Sequence, residues 1–205
     1  KYSGCDIHAL LPYKNIDGNI VPPDPHANSF FFDEKTNFIY LSFKNSNEVV
    51  KIKYPQGEII KKYEGTRSDN NEILFCSQHN IRISQKGYLY MFNNNSCTSG
   101  FHPKITMLQE PLSQKGKLNK VWEYEFPVED TGLACRAGRQ SSAGGSVYQL
   151  HDRSVLASLC SPANKIFIVN MNKEILWSAE SERRETKENN WVPILQYRVS
   201  IIAGK

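Results

Sequence analysis

Two histidines stand in similar company, His26 in Asp24-Pro25-His26-Ala27-Asn28 and His79 in Gln78-His79-Asn80-Ile81-Arg82. An imidazole can bind an anion, act as general acid or base, or attack phosphorus or sulfur as a nucleophile. Groups suited to an anion recur nearby in the pattern. Lys44-Asn45 and Asn93-Asn94-Asn95 supply a cation and amide donors, and Arg136 and Arg139 adjoin a Gly- and Ser-rich loop at 139–145. A guanidinium there could clamp sulfate or phosphate oxygens in bidentate fashion. The plainer reading uses the same His and Asn side chains to satisfy buried backbone, and leaves the loop as a loop.

Other chemistries lack their parts. There are no paired carboxylates beside these histidines, no GxSxG nucleophile elbow and no glycine-rich phosphate loop. Asp24 and Asn28 are too few oxygen ligands for a metal-dependent lactonase-type site. The five cysteines, Cys5, Cys76, Cys97, Cys135 and Cys160, form no CxxC pair and no zinc-finger spacing, so no structural metal is expected; no cofactor is expected either. With Lys and Arg scattered among Asp and Glu and a net charge of only +4, nucleic acid is a poor partner. No stretch approaches the roughly 20 apolar residues of a membrane span, and 1–11 has no signal-peptide pattern.

Residues 26, 44, 79, 94 and 139 meet only if the chain folds repetitively. A composition of 40% hydrophobic and 22% charged residues is that of a folded soluble protein. β-Branched and aromatic residues broken by Asn, Gly, Asp and Pro make the class all-β, with one short helix predicted around 179–187. One four-strand pattern occurs three times: strands at 28–33, 37–42, 48–54 and 58–63; at 80–84, 88–93, 104–108 and 120–126; and at 146–150, 154–159, 165–170 and 174–178. Each copy ends on a comparable strand, the last two bearing Trp122 and Trp177. Four-stranded antiparallel units that must stack on neighbours to bury both faces describe a β-propeller, with blades at about 26–63, 79–126 and 144–179 and a closing strand near 191–202. A β-sandwich of about a dozen strands is the alternative. Three blades cannot close a ring, so the chain is expected to be part of a larger propeller domain over 1–205, or a half completed by another chain, as in a homo-oligomer.

In a propeller the first strand of each blade lines the channel, so residues entering these strands converge on one mouth. His26 and His79 are expected at the same place in successive blades, with Lys44 and Asn94 just after the second strands at the same end. His102, in a long loop, could fold back over the channel, whereas His151 lies in a turn at the other end. His8 has the weakest claim. Cys76 and Cys97 flank a hairpin turning near 85–87 and fall almost opposite each other, within disulfide range or as two buried thiols. A bridge would imply an oxidising compartment.

The order of these pieces resembles the bacterial aryl-sulfate sulfotransferase family. The similar segments are 24–29 with Phe32-Asp33, Ile39-Tyr40-Leu41-Ser42 and Asn47-Glu48-Val49-Val50-Lys51-Ile52, then 78–83 with Phe92-Asn93-Asn94, Lys120-Val121-Trp122-Glu123-Tyr124, and Gly145-Ser146-Val147-Tyr148-Gln149-Leu150. Where the family has an Arg after the second strand of the first of these blades, this sequence has Lys44. The resemblance implies a periplasmic or otherwise exported six-bladed propeller that passes a sulfuryl group from a phenolic sulfate ester to another phenol through a channel histidine, without the nucleotide donor PAPS. His79 and His26 would be catalytic, with Asn28, Lys44, Asn94 and Arg139 around the substrate. The competing expectation is a non-catalytic propeller binding an anionic aromatic ligand or a protein partner.

Overall fold

The computed structural model describes residues 13–14, 20–21, 25–66, 70–97, 102–113, 115–127, 144–159, 165–180, 182–185, 190–193 and 199. In chain order the strands are β1 (Tyr13–Lys14), β2 (Ile20–Val21), β3 (Ala27–Asp33), β4 (Phe38–Phe43), β5 (Glu48–Lys53), β6 (Glu58–Glu64), β7 (His79–Ile83), β8 (Leu89–Asn93), β9 (Lys104–Gln109), β10 (Asn119–Glu125), β11 (Ser146–Gln149), β12 (Val155–Ser158), β13 (Lys165–Val169), β14 (Ile175–Glu180), β15 (Glu182–Glu185) and β16 (Asn190–Pro193). Three antiparallel meanders result, β3 to β6, β7 to β10 and β11 to β14, beside two-stranded pairs β1–β2 and β15–β16. The twelve blade strands match the sequence-derived segments to within two residues at each end.

Tight turns set these meanders. In the first, the Asp33 carboxylate accepts from Lys35 N at 3.2 Å and Thr36 Oγ1 at 2.6 Å, and Asn37 closes the turn with φ 55°. Asn47, Gly57, Gly87, Arg153 and Lys173 occupy the same left-handed region in later turns. Asn and Gly suit that conformation; Arg and Lys are strained in it.

Period-2 alternation explains why the sheets stack. On β8, which is buried throughout, Leu89 and Met91 join Tyr40, Val49 and Phe75 in the core beneath the first sheet, whereas Tyr90 and Phe92 join Val147, Val155 and Phe167 against the third. The middle sheet is thus buried on both faces, as a blade between blades must be. Phe30 alternates with core-facing Phe31, and Trp177 pairs with Ile168 beside core-facing Phe167, so both point to the outer sides of the stack, 64% and 49% exposed. The innermost strands β3, β7 and β11 are neighbours. The fold is an arc of an all-β propeller.

The helix expected around 179–187 is not formed. Ala179 and Glu180 extend β14, pairing with Ile166 and Lys165 of β13, and 182–185 form β15 against β16. Edge pairing to an existing sheet overrides a helical propensity of tenths of a kcal/mol per residue. Of the closing strand expected at 191–202, residues 191–193 pair with β15, Val199 is described, and the rest lie outside the described residues.

Candidate functional site at the entrance of the inner strands

A repeated hydrogen bond sets the register of the inner strands. Ser29 Oγ accepts from Ile81 N at 2.8 Å, Asn80 Oδ1 from Val147 N at 2.8 Å, and Ser146 Oγ from Val199 N at 2.9 Å. Ser29, Asn80 and Ser146 are therefore equivalent: the first two tie their blades to the next, and Ser146 makes the same bond to Val199. One residue earlier, Asn28 Nδ2 donates to Gln78 O at 2.6 Å, and His79 Nε2 accepts from Gly144 N at 3.2 Å.

This register corrects the expected equivalence of the two histidines. The counterpart of His79 is Asn28, and that of His26 is Ser77; both His26 and Ser77 have left-handed backbones, φ 54° and 50°. Consistently, Asn45 N bonds Pro25 O and Asn95 N bonds Cys76 O, which makes Lys44 and Asn94 equivalent. The histidines coincide in a text alignment but sit two residues apart in the ladder.

His79 is 2% exposed and both ring nitrogens are engaged. Nδ1 lies 3.0 Å from Ser77 O and 2.6 Å from Asn94 Oδ1, two acceptors, so it carries the proton; Nε2 keeps its lone pair for Gly144 N–H. Asn94 turns its Nδ2 to Gly144 O at 3.1 Å. Gly144 is thereby held by both its N–H and its carbonyl. Burial pushes the His79 pKa down to about 4, against the opposing hydrogen bonds from Asn94 and Ser77 and with added repulsion from Lys44 and His26. His79 is neutral at pH 7, and Lys44 and His26 are near enough to act on it electrostatically.

The surrounding polar residues also serve backbone. Asn93 Oδ1 accepts from Cys76 N and Asn95 N, both at 3.0 Å, and Asn95 Nδ2 donates to His102 O at 3.2 Å. Buried Gln78 reaches into the first blade, its Nε2 donating to Ser42 Oγ, Phe43 O and Glu48 O at 3.0 to 3.1 Å. Cys76 and Cys97 form a disulfide with Cα atoms 6.2 Å apart, closing the loops on either side of the β7–β8 hairpin.

His26 is exposed, and Lys44 and Asn28 are half-buried at the same entrance. His102 faces Glu125 at 3.6 Å, its imidazole turned toward outer strand β10 rather than the inner strands. His151 is exposed in the β11–β12 turn. His8, Asp24, Arg136 and Arg139 lie outside the described residues, and so does most of the Gly- and Ser-rich loop. Among the described residues no three His, Cys, Asp or Glu side chains are placed to hold a metal ion, and no helix is long and apolar enough to cross a membrane.

Sequence reasoning missed the Ser29, Asn80 and Ser146 series, whose only signal is a small polar residue early in each inner strand. It also missed Glu110, just after β9, which crosses to the first blade and accepts from Lys51 Nζ at 2.8 Å, Tyr63 OH at 2.6 Å and Tyr40 OH at 3.1 Å.

No family model and no curated protein sequence matches this chain. Similar solved structures include virginiamycin B lyase from Staphylococcus aureus, at 17% identity over 82% of this chain and 47% of that one with a TM-score of 0.48. A streptogramin B lyase follows at 16% identity, 80% and 43% coverage and a TM-score of 0.47. The β-propeller domain of Cps50 (Swd1) from Myceliophteria thermophila is similar at 10% identity, 78% and 42% coverage and a TM-score of 0.46. The chain spans less than half the length of each of these three proteins.

Proposed function

We propose that this chain is a non-catalytic binding arc of a propeller in which His79 is a structural tie between blades. The observation that carries this is the complete engagement of a buried imidazole: Nδ1–H is directed at Ser77 O and Asn94 Oδ1, and the Nε2 lone pair at Gly144 N–H. A nucleophilic histidine must present a lone pair to its substrate. Here the lone pair serves backbone, as Asn28 serves backbone one blade earlier.

Sulfuryl transfer from an aryl sulfate ester to a phenol is the second reading, supported by the sequence resemblance and by the nearness of Lys44 and His26 to a neutral His79. In it, Nε2 attacks sulfur, the sulfur–oxygen bond to the aryl group breaks, and the phenolate leaves and takes a proton. An acceptor phenol then gives up its proton to water and attacks the sulfur, and the nitrogen–sulfur bond breaks to restore neutral His79. Gly144 would first have to release Nε2. The Cys76–Cys97 bridge supports a periplasmic or otherwise oxidising setting for either reading.

The test is release of nitrophenol from 4-nitrophenyl sulfate with phenol as acceptor, for the protein and for His79→Asn. The binding-arc reading expects no release above the uncatalysed rate from either. Turnover by the protein that the folded variant lacks would overturn it in favour of transfer through His79.

A further inference from the structure

The end of the blades opposite His79 carries a second feature. A cleft of about 310 Å³ opens between the second and third blades, walled by Tyr88, Met107, Trp122 and Met171, with Lys86 and Arg153 also lining it. That volume falls at the lower end of the range for small-molecule sites. The walls come from two blades, and three contacts fix them. Trp122 Nε1 donates to Met171 O at 2.9 Å, which sets the indole plane; Gln85 N donates to Gln149 Oε1 at 2.8 Å; and Gln85 Nε2 donates to Leu150 O at 2.9 Å. The last two join the turn carrying Lys86 to the turn carrying Arg153.

Charge selects the occupant. Neither Lys86 nor Arg153 has a carboxylate partner among the described residues, and both are exposed. The nearest acid in sequence, Asp152, has its carboxylate oxygen Oδ1 engaged by Ser154 N at 3.0 Å and Ser154 Oγ at 2.6 Å. Two cations at an aromatic and thioether slot, in which the ring faces Trp122 and soft sulfur, match a planar apolar body with one anionic group.

The geometry points to this cleft as a binding site for a small aromatic monoanion, a carboxylate or sulfonate on one or two fused rings. The assignment rests on the binding-arc reading for its role and names a site separate from the inner-strand entrance.

The test uses the three methionines of the chain. Met107 and Met171 line the cleft, whereas Met91 is buried on the opposite face of the second blade. With [methyl-13C]methionine protein titrated with 2-naphthalenesulfonate, the Met107 and Met171 signals shift and Met91 does not. A Lys86→Glu/Arg153→Glu variant, exposed in both turns and checked for fold by its unshifted Met91 signal, binds about tenfold more weakly or worse, and uncharged 2-naphthol also binds more weakly. No shift at any methyl, equal shifts at all three, or affinity unchanged by the charge reversal would overturn the site. Each of these outcomes leaves the His79 reading untouched, and aryl sulfate turnover would sink that reading without moving the methionine signals.

Discussion

His79 Nε2 and the backbone N–H of Gly144 are 3.2 Å apart, and through this bond the second blade holds the first described residue of the third. Asn94 completes the grip at the Gly144 carbonyl. A buried imidazole used this way must remain neutral, which gives a signature in pH. The His79 pKa is lowered from 6.5 to about 4 in the fold, so its contribution to stability is fully present above pH 6.5. The contribution is lost as pH falls from 6.5 through about 4, because the unfolded chain takes the proton first. The full loss is about 3 kcal/mol. Urea denaturation at pH 7 and pH 4 should show it, and His79→Asn should remove most of the difference.

Gly145 cannot be replaced cheaply. Its φ is 96°, and a Cβ there would sit 2.3 Å from the Phe92 ring in the tight packing between the second and third blades. Gly145→Ala is expected to cost about 2–4 kcal/mol, from backbone strain together with displacement of a core ring. A shift of the denaturation midpoint with unchanged slope checks this.

The Cys76–Cys97 bridge closes a loop with a sequence separation of 21. Loop-closure entropy for that length predicts a loss of about 3 kcal/mol on reduction or in the Cys76→Ser/Cys97→Ser variant. Thermal unfolding with and without dithiothreitol measures it.

Glu110 joins the first two blades through Lys51, Tyr40 and Tyr63. Glu110→Ala leaves a mostly buried ammonium and two phenols without their acceptor, an expected loss of about 2–4 kcal/mol, and Glu110→Gln costs less. Burial first, with Glu110 reinforcing it, raises both tyrosine pKa values well above their usual 10. Their contribution to stability is therefore intact below pH 10 and declines above it, as the unfolded chain ionises first. Tyr40→Phe and Tyr63→Phe should flatten that alkaline decline in denaturation profiles.

Lys173 occupies the left-handed position of the β13–β14 turn at φ 70°. Lys173→Gly relieves the strain and is expected to gain about 0.5–1 kcal/mol of stability, seen as a higher denaturant midpoint at unchanged slope.

The strands were legible because turns and alternation carry them. Asp33, Asn37, Asn47, Gly57 and Gly87 punctuate the chain where the backbone must reverse, and the alternating apolar residues between them show which faces are buried. The segment at 179–187 misled because Ala, Glu, Arg and Lys favour helix locally, while the open edge of β13 was invisible in sequence. His26 and His79 look equivalent when aligned on residue type. Only the bonds from Ile81 to Ser29 and from Val147 to Asn80 reveal the offset of two. Glu110 reads as a solvated loop carboxylate because its partners at 40, 51 and 63 belong to another blade. The cleft at Trp122 likewise assembles from turns more than 60 residues apart in sequence, such as those joined by Gln85 and Gln149.

The most direct test of His79 as a blade tie is the side-chain 15N spectrum of that residue through a pH titration. A neutral ring protonated at Nδ1, with an unprotonated Nε2 down to about pH 4 and a downfield Gly144 amide that collapses in His79→Asn, is the predicted result. A ring that titrates near 6.5, or carries its proton on Nε2, would contradict the account and return His79 to the candidates for attack on substrate.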